Sequence, residues 1–377
     1  MPHDVAFMPW ISIREPKTIG DLRLLPYVRG RLPGDQGNIR QADLDAMTRA
    51  YANHGGRIIR KCTLVERGQF RTGMDSDSYR ASLFEAQRLL GFSALAHRLL
   101  FSGLRYTNYH TYTLIVQRYE PGRADRFVFR TRRRDGSAQH YWAADHFAFQ
   151  RPLHVDEHAA VDLDEPLLGT LLTLDANSQH ILDAITDFNG ANTDSEDVDP
   201  QAEIVMIKSA FESLFNIKQN AIELVGGINR TLADINKEVP TAGPMKALWE
   251  SHWQKARSYL EAWARDFCLS RNTAAHGGQR TITVWARKAH LAFAALFFPL
   301  LVKKMLSDAG QLQLQCVDVE FLRRIETLLM YDPFTENIDK HPWTEVRDEA
   351  IGACMHQAIA DIVERVSRYD STDDGDV

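Results

Sequence analysis

The chain has 377 residues, 44% apolar and 25% charged, a composition that excludes a disordered chain, a collagen-like chain and a small disulfide scaffold; the length suggests two domains. The net charge of −6 conceals an asymmetry: residues 1–151 hold 24 Lys and Arg against 14 Asp and Glu, residues 152–207 hold 13 acids and no base, and residues 208–377 hold 20 bases against 23 acids. A basic first part suggests a polyanionic partner and an acidic middle suggests a boundary. Cys62, Cys268, Cys316 and Cys354 lie far apart with no C-x-x-C, so the expectation is neither a disulfide framework nor a structural zinc site. The start, MPHDVAFMPWISIREP, lacks the cationic and apolar stretches of a signal peptide. The longest apolar run, Leu291 to Val302, is about half of the ~20 residues a membrane span needs. A cytoplasmic, reduced protein with no membrane partner is expected.

In chain order, the segment carrying Pro9, Pro16, Pro26 and Pro33 reads as short strands and turns. A helix is predicted over Gln41 to Asn53, ended by Gly55-Gly56, and a longer one over Arg80 to Phe101. Tyr109 to Arg118 has strand composition. Arg126 to Arg134 and Gln139 to Phe149 flank Asp135-Gly136, a strong hairpin signal. Arg126, Arg130, Arg132 and Arg134 alternate to one face of that strand and Phe127 and Phe129 to the other. Those arginines are candidate nucleic-acid contacts; the plainer reading is the solvated face of a hairpin. His140, His146, His154 and His158 have no compact ligand spacing, and no metal or other cofactor is expected.

After Pro166 the texture becomes helical. Helices are predicted over Leu167 to Phe188, Ile204 to Ile217, Met245 to Leu269, Thr281 to Leu306, Val317 to Met330 and Thr344 to Tyr369. Thr281 to Leu306 is apolar nearly all round, hence a central buried helix with a kink at Pro299. Asn189 to Pro200 reads as an exposed, mobile acidic connection. The fold class is α+β: a basic, β-rich mixed α/β domain over residues 1–155, then an all-α domain over residues 165–370 containing the acidic connection 189–200.

The turn between the two longest helices reads Ser270-Arg271-Asn272-Thr273-Ala274-Ala275-His276-Gly277-Gly278. On a helical turn Asn272 and His276 share a face, and Arg271 sits about 100° behind, so the three can flank one pocket. Cleaving RNA without metal needs a proton taken from a ribose 2′-OH, which attacks its own phosphate, and a proton given to the departing 5′-oxygen. Histidine can do either near neutral pH. Arginine suits the extra charge of the pentacovalent phosphate, and asparagine can orient phosphate or imidazole. One histidine does not readily serve as both acid and base; a two-fold dimer would supply the second. The spacing Arg-x4-His is cheap, occurring also at Arg49…His54 and Arg105…His110, and the plain alternative for residues 271–276 is a capped helix end.

RNTAAHGG, with the upstream IVMIKSAFESLF and the preceding DAITDFNGANTDSEDVDP, resembles the HEPN superfamily, in particular its Apea-like type. The resemblance covers roughly residues 165–310 and rests on the order of an A-[FL]-E-x-L helix, a long helix and an R-x4-H-G turn. It implies that the all-α domain is a HEPN-like helical bundle, and that Arg271, Asn272 and His276 form a metal-independent ribonuclease motif working across a two-fold homodimer. It further implies a role in antiphage defence or as a toxin, with tRNA among the possible RNA substrates. Glu212 matches the family's acidic position on the earlier helix; an ion pair with Lys208 at i,i+4 is the competing reading. Residues 1–155 resemble no family and would recognise a phage-derived trigger or nucleic acid. The alternative function is a catalytically inactive HEPN-type module that binds nucleic acid or protein.

Overall fold

The computed structural model describes residues 3–31, 40–68, 76–101, 108–123, 149–155, 161–193, 195–218, 220–276, 282–331 and 342–370. The fold is α+β, with a β-rich N-terminal region and a helical C-terminal part. Contacts divide the chain into two compact units. One comprises Met1–Arg98, Tyr106–Ala176 and Asn192–Val198; the other comprises Leu99–Arg105, Asn177–Ala191 and Asp199–Val377.

The first unit is built on five antiparallel strands, β1 (His3–Met8), β2 (Lys17–Ile19), β3 (Leu22–Val28), β5 (Lys61–Arg67) and β6 (Ile115–Tyr119), in the order β2-β3-β5-β1-β6. Gly20, at φ 59°, opens the two-residue turn between β2 and β3. Pro26 sits in β3 because β2 pairs only with Leu22 to Leu24, so no ladder bond on that side is lost. Alternate residues Val5, Phe7, Leu25, Tyr27, Cys62 and Leu64 join Leu44 and Met47 of α1 (Gln41–Thr48) in one core. The short strands β4 (Tyr51–Ala52) and β7 (Phe149–Gln150) pair in parallel. Helix α2 (Ser76–Phe101), as far as Arg98, and helix α3 (Glu165–Leu172) also belong to this unit.

Several expectations shift here. Helix α1 stops at Thr48, whose hydroxyl donates back to the Leu44 carbonyl, and the chain extends as β4. Tyr109–Tyr112 is a 3-10 turn rather than strand, capped by the Asn108 side chain accepting from the His110 amide at 2.9 Å. The turn packs onto Gly91 of α2, where a Cβ would lie 2.6 Å from the Tyr109 ring. The arginine strand 126–134 lies outside the described residues. So does its return strand, apart from Phe149. The acidic connection is not uniformly exposed: Asn192, Thr193 and Ser195 are buried, and the Tyr109 amide donates to the Asn192 carbonyl at 2.7 Å.

The second unit contains α4 (Gln179–Ala191), α5 (Pro200–Phe215), α6 (Ala221–Thr231), α7 (Lys246–His252), α8 (Tyr259–His276), α9 (Arg287–Asp308), α10 (Cys316–Arg323), α11 (Ile325–Leu328) and α12 (Pro342–Asp370). Asp199 caps α5, accepting from the Gln201 amide at 2.7 Å, with Pro200 in the first turn. Phe211 of α5 packs among Trp263, Phe267 and Phe298 at centroid distances of 5.3–6.0 Å. Helix α9 is long and apolar enough by composition to cross a membrane, and 83% of that window is buried inside the protein. Met355, Ile359, Ile362 and Val363 form an exposed apolar stripe on α12.

Three predicted helices are broken, among them Val317 to Met330, which divides into α10 and α11 at Arg324. Leu167 to Phe188 divides into α3 and α4 around Asp175. Met245 to Leu269 divides into α7 and α8, and α8 runs on to His276. Ser258 accepts from the Glu261 amide, and Glu326 accepts from the Tyr259 amide at 3.1 Å, so α8 has its own satisfied N-terminus. The cysteine expectation is corrected as well: Cys316 and Cys354, 38 residues apart, form a disulfide joining α10 to α12. Sequence spacing cannot reveal a pair that only the packing of two helices brings within reach.

Candidate functional site

The R-N-x-x-x-H segment lies in the last two turns of α8, rather than in a turn between helices. Helical geometry therefore holds Arg271 and Asn272, and Arg265, Cys268, Leu269 and Asn272 recur at i, i+3, i+4 and i+7 along one stripe. That stripe forms one wall of a pocket of about 310 Å³. Lys208 and Glu212 of α5, Asn220 and Ala221 at the start of α6, and Trp253 from the α7–α8 connection form the rest of it.

Arg271 is only 9% exposed. Its Nη1 donates to Asn272 Oδ1 at 3.2 Å, while its Nε has no hydrogen-bond partner among the described residues. The Nε of Arg265 is likewise without one. Neither guanidinium forms an ion pair among the described residues. Buried donors left unmatched are expensive, so the pocket is suited to receive an anionic acceptor. Asn220 caps α6 by accepting from the Glu223 amide at 2.7 Å, which sets the positive end of that eleven-residue helix at the pocket wall.

Glu212 makes the ion pair that the i,i+4 spacing predicts, and it also lines the candidate pocket. Lys208 donates to it at 2.5 Å, with the lysine side chain 2% exposed, and Glu212 lines the same pocket as Arg271 and Asn272. The pair neutralises itself, so the remaining positive charge of the pocket is that of the two arginines. Burial pushes the Cys268 thiol up to about 11 against the opposing pull of Lys208, Arg271 and Arg265, so it stays protonated and is no nucleophile at neutral pH. His276 is the final residue of α8; its side chain lies outside what the structure describes. The four strand arginines, Arg126, Arg130, Arg132 and Arg134, also fall outside the described residues.

Sequence reasoning missed the groups that brace this site. Asp266, fully buried on α8, accepts from Trp253 Nε1 at 2.9 Å, from the Val284 and Trp285 amides at 3.1 and 3.0 Å, and from His290 Nε2 at 3.1 Å. Burial alone would raise its carboxyl; the His290 hydrogen bond and charge, with the two amides, outweigh that and hold it below the ordinary value. One carboxylate thus fixes the pocket residue Trp253 and the chain that returns after the motif. The signal was an acid within the apolar set Tyr259, Trp263, Asp266, Phe267 at core spacing, where an acid stays only if it is fully bonded. Arg265 was missed because it looks like an ordinary solvated charge. Among the described residues, no cluster of three His, Cys, Asp or Glu is placed to hold a metal ion. No family model matches this chain, and no curated protein or solved structure matches it either.

Proposed function

We propose that the helical unit is a HEPN-type endoribonuclease that cleaves RNA without a metal or other cofactor, by attack of a ribose 2′-OH on the adjacent phosphate. The observation that carries the reading is Arg271: a buried guanidinium with an unmatched Nε, lining a pocket with Asn272 and Glu212, on the helix that ends at His276. In this reading Arg271 holds the scissile phosphate and stabilises the charge of the pentacovalent state. Asn272 fixes the Arg271 Nη1, and so orients the guanidinium. His276 takes the 2′-OH proton, and His276 of a second copy returns a proton to the departing 5′-oxygen, so the active form is a homodimer through the helical unit. The apolar stripe on α12 supports a further contact between copies of the chain.

The biological role proposed is antiphage defence or toxicity in the cytoplasm, with tRNA a candidate substrate. The basic N-terminal region, through Arg126, Arg130, Arg132 and Arg134, would take a phage-derived trigger or nucleic acid; no membrane partner is invoked. The test is incubation of RNA with the purified protein in the presence of EDTA. His276→Ala should abolish cutting and His54→Ala should not. Cutting that survives His276→Ala, or that EDTA stops, overturns the mechanism. A second reading, favoured by the self-neutralised Lys208–Glu212 pair, is a pocket that binds nucleic acid or protein without cleaving; it requires salt-sensitive binding with intact RNA.

A further inference from the structure

The pocket beside Arg271 has two chemically distinct sides. One is cationic, formed by Arg265 and Arg271, whose Nε atoms lack partners, and flanked by the positive end of α6. The other is apolar, formed by Trp253, Leu269 and Ala221. A free phosphate would use only the first side. Its volume, about 310 Å³, is at the small end of the ligand-site range of roughly 300–1,000 Å³.

Trp253 is not a loose surface aromatic. Its Nε1 donates to Asp266, and Asp266 is held in turn by two backbone amides and His290. The backbone around it is also tied: the Trp253 amide donates to the Trp249 carbonyl at 2.7 Å, and the Ala256 amide to the Trp253 carbonyl at 2.8 Å. A half-buried indole fixed in this way has little side-chain freedom left to lose when a flat group settles on it. Flat aromatic surfaces next to cations are how single strands are gripped: bases stack and phosphates pair.

We propose that this pocket receives one nucleotide unit of a single strand, its base against Trp253 and its phosphate on Arg265 and Arg271. The proposal rests on the ribonuclease reading and deepens it. The substrate would be unpaired RNA at the cut, because a base held in a duplex stack cannot turn onto Trp253. Arg265 becomes a binding residue of the site, and Trp253 the residue that favours a nucleotide over a bare phosphate.

The experiment is calorimetric titration of the full chain with AMP, ribose 5-phosphate and inorganic phosphate. AMP should bind roughly tenfold or more tightly than ribose 5-phosphate, the size of one base–aromatic stack. Trp253→Ala should erase that difference while leaving ribose 5-phosphate binding in place, and Arg265→Met should weaken both ligands. Saturation-transfer NMR on the wild-type chain gives a second readout that needs no variant: adenine protons should receive saturation from the indole region. The proposal is overturned if AMP and ribose 5-phosphate bind alike, if AMP does not bind at millimolar concentration, or if Trp253→Ala keeps the preference. AMP binding with RNA left uncut would refute the nuclease reading and leave the pocket standing. RNA cleavage by a chain that binds AMP and ribose 5-phosphate alike would do the reverse.

Discussion

The sheet of the β-rich unit and the pocket of the helical unit use arginine in opposite ways. At the sheet, three arginines are matched by carboxylates: Arg67 bonds Asp21 and Glu85, and Asp4 accepts from both Arg80 and Arg118. In the helical unit Arg265 and Arg271 line a pocket with no ion pair among the described residues. In sequence, residues 1–151 carry the positive excess, whereas residues 208–377, which hold this pocket, carry 20 bases against 23 acids. Segment charge therefore did not locate the candidate anion site; the pairing state of individual cations did. A cation already satisfied by a neighbour is structural, and one buried with unmet donors has capacity for a ligand.

That contrast can be broken by substitution. The largest effect should come from Asp266→Ala, which strands the Trp253 indole, two amides and His290. We expect a loss of about 3–5 kcal/mol, read by chemical denaturation. The Asp266 carboxyl lies below its ordinary value of 3.8, so its contribution is present above pH 3.8 and is lost as pH falls further, through the folded-state value. Wild type should therefore lose more stability than Asp266→Asn on acidification below that point. Glu326 should behave oppositely. Burial raises it above 4.5, against Lys237 and the hydrogen bonds it accepts, so its contribution is present below pH 4.5 and is lost as pH rises through the folded-state value. Glu326→Gln, which can still accept from Tyr259, should melt higher than wild type at neutral pH.

Arg271→Ala should lower the cleavage rate by about 10²–10³-fold, the usual cost of one transition-state donor, with little change in melting temperature. A proportionate loss of both would make Arg271 a packing residue. Cys316→Ser removes the covalent link between α10 and α12, closing a 38-residue separation; the expected loss is about 2–4 kcal/mol. Thiol titration of protein taken from cells tests the cytoplasmic proposal: an intact Cys316–Cys354 bond would contradict it, because such a bond does not persist where thiols are kept reduced. The smallest effect should be Arg118→Ala. Its side chain is half-exposed and Asp4 retains Arg80, so under about 1 kcal/mol is expected, with cleavage unchanged. A large loss of cleavage from Arg118→Ala would erase the distinction between the two uses of arginine.

Much of the framework was legible because periodicity is local. The helices around Leu83 to Leu100, Ile204 to Leu214 and Leu291 to Leu306 are written in the spacing of their buried residues. Three breaks are not legible from periodicity, although Ser258 followed by Glu261 is a helix-start signature between α7 and α8. At the site, Arg271 and Asn272 were legible from a motif, and Glu212 from its place on the preceding helix. Trp253 and Arg265 were not, because their meeting with Glu212 depends on how α5, α6 and α8 pack. The Cys316–Cys354 bond escaped for the same reason.

The central claim is attack by a 2′-OH at a phosphate held by Arg271, and the end groups of the cleaved RNA test it most directly. In the presence of EDTA the wild-type chain should leave 2′,3′-cyclic phosphate and 5′-hydroxyl ends, and Arg271→Ala should leave almost none. Products ending in a 5′-phosphate, or RNA left whole by the wild-type protein, would contradict the account.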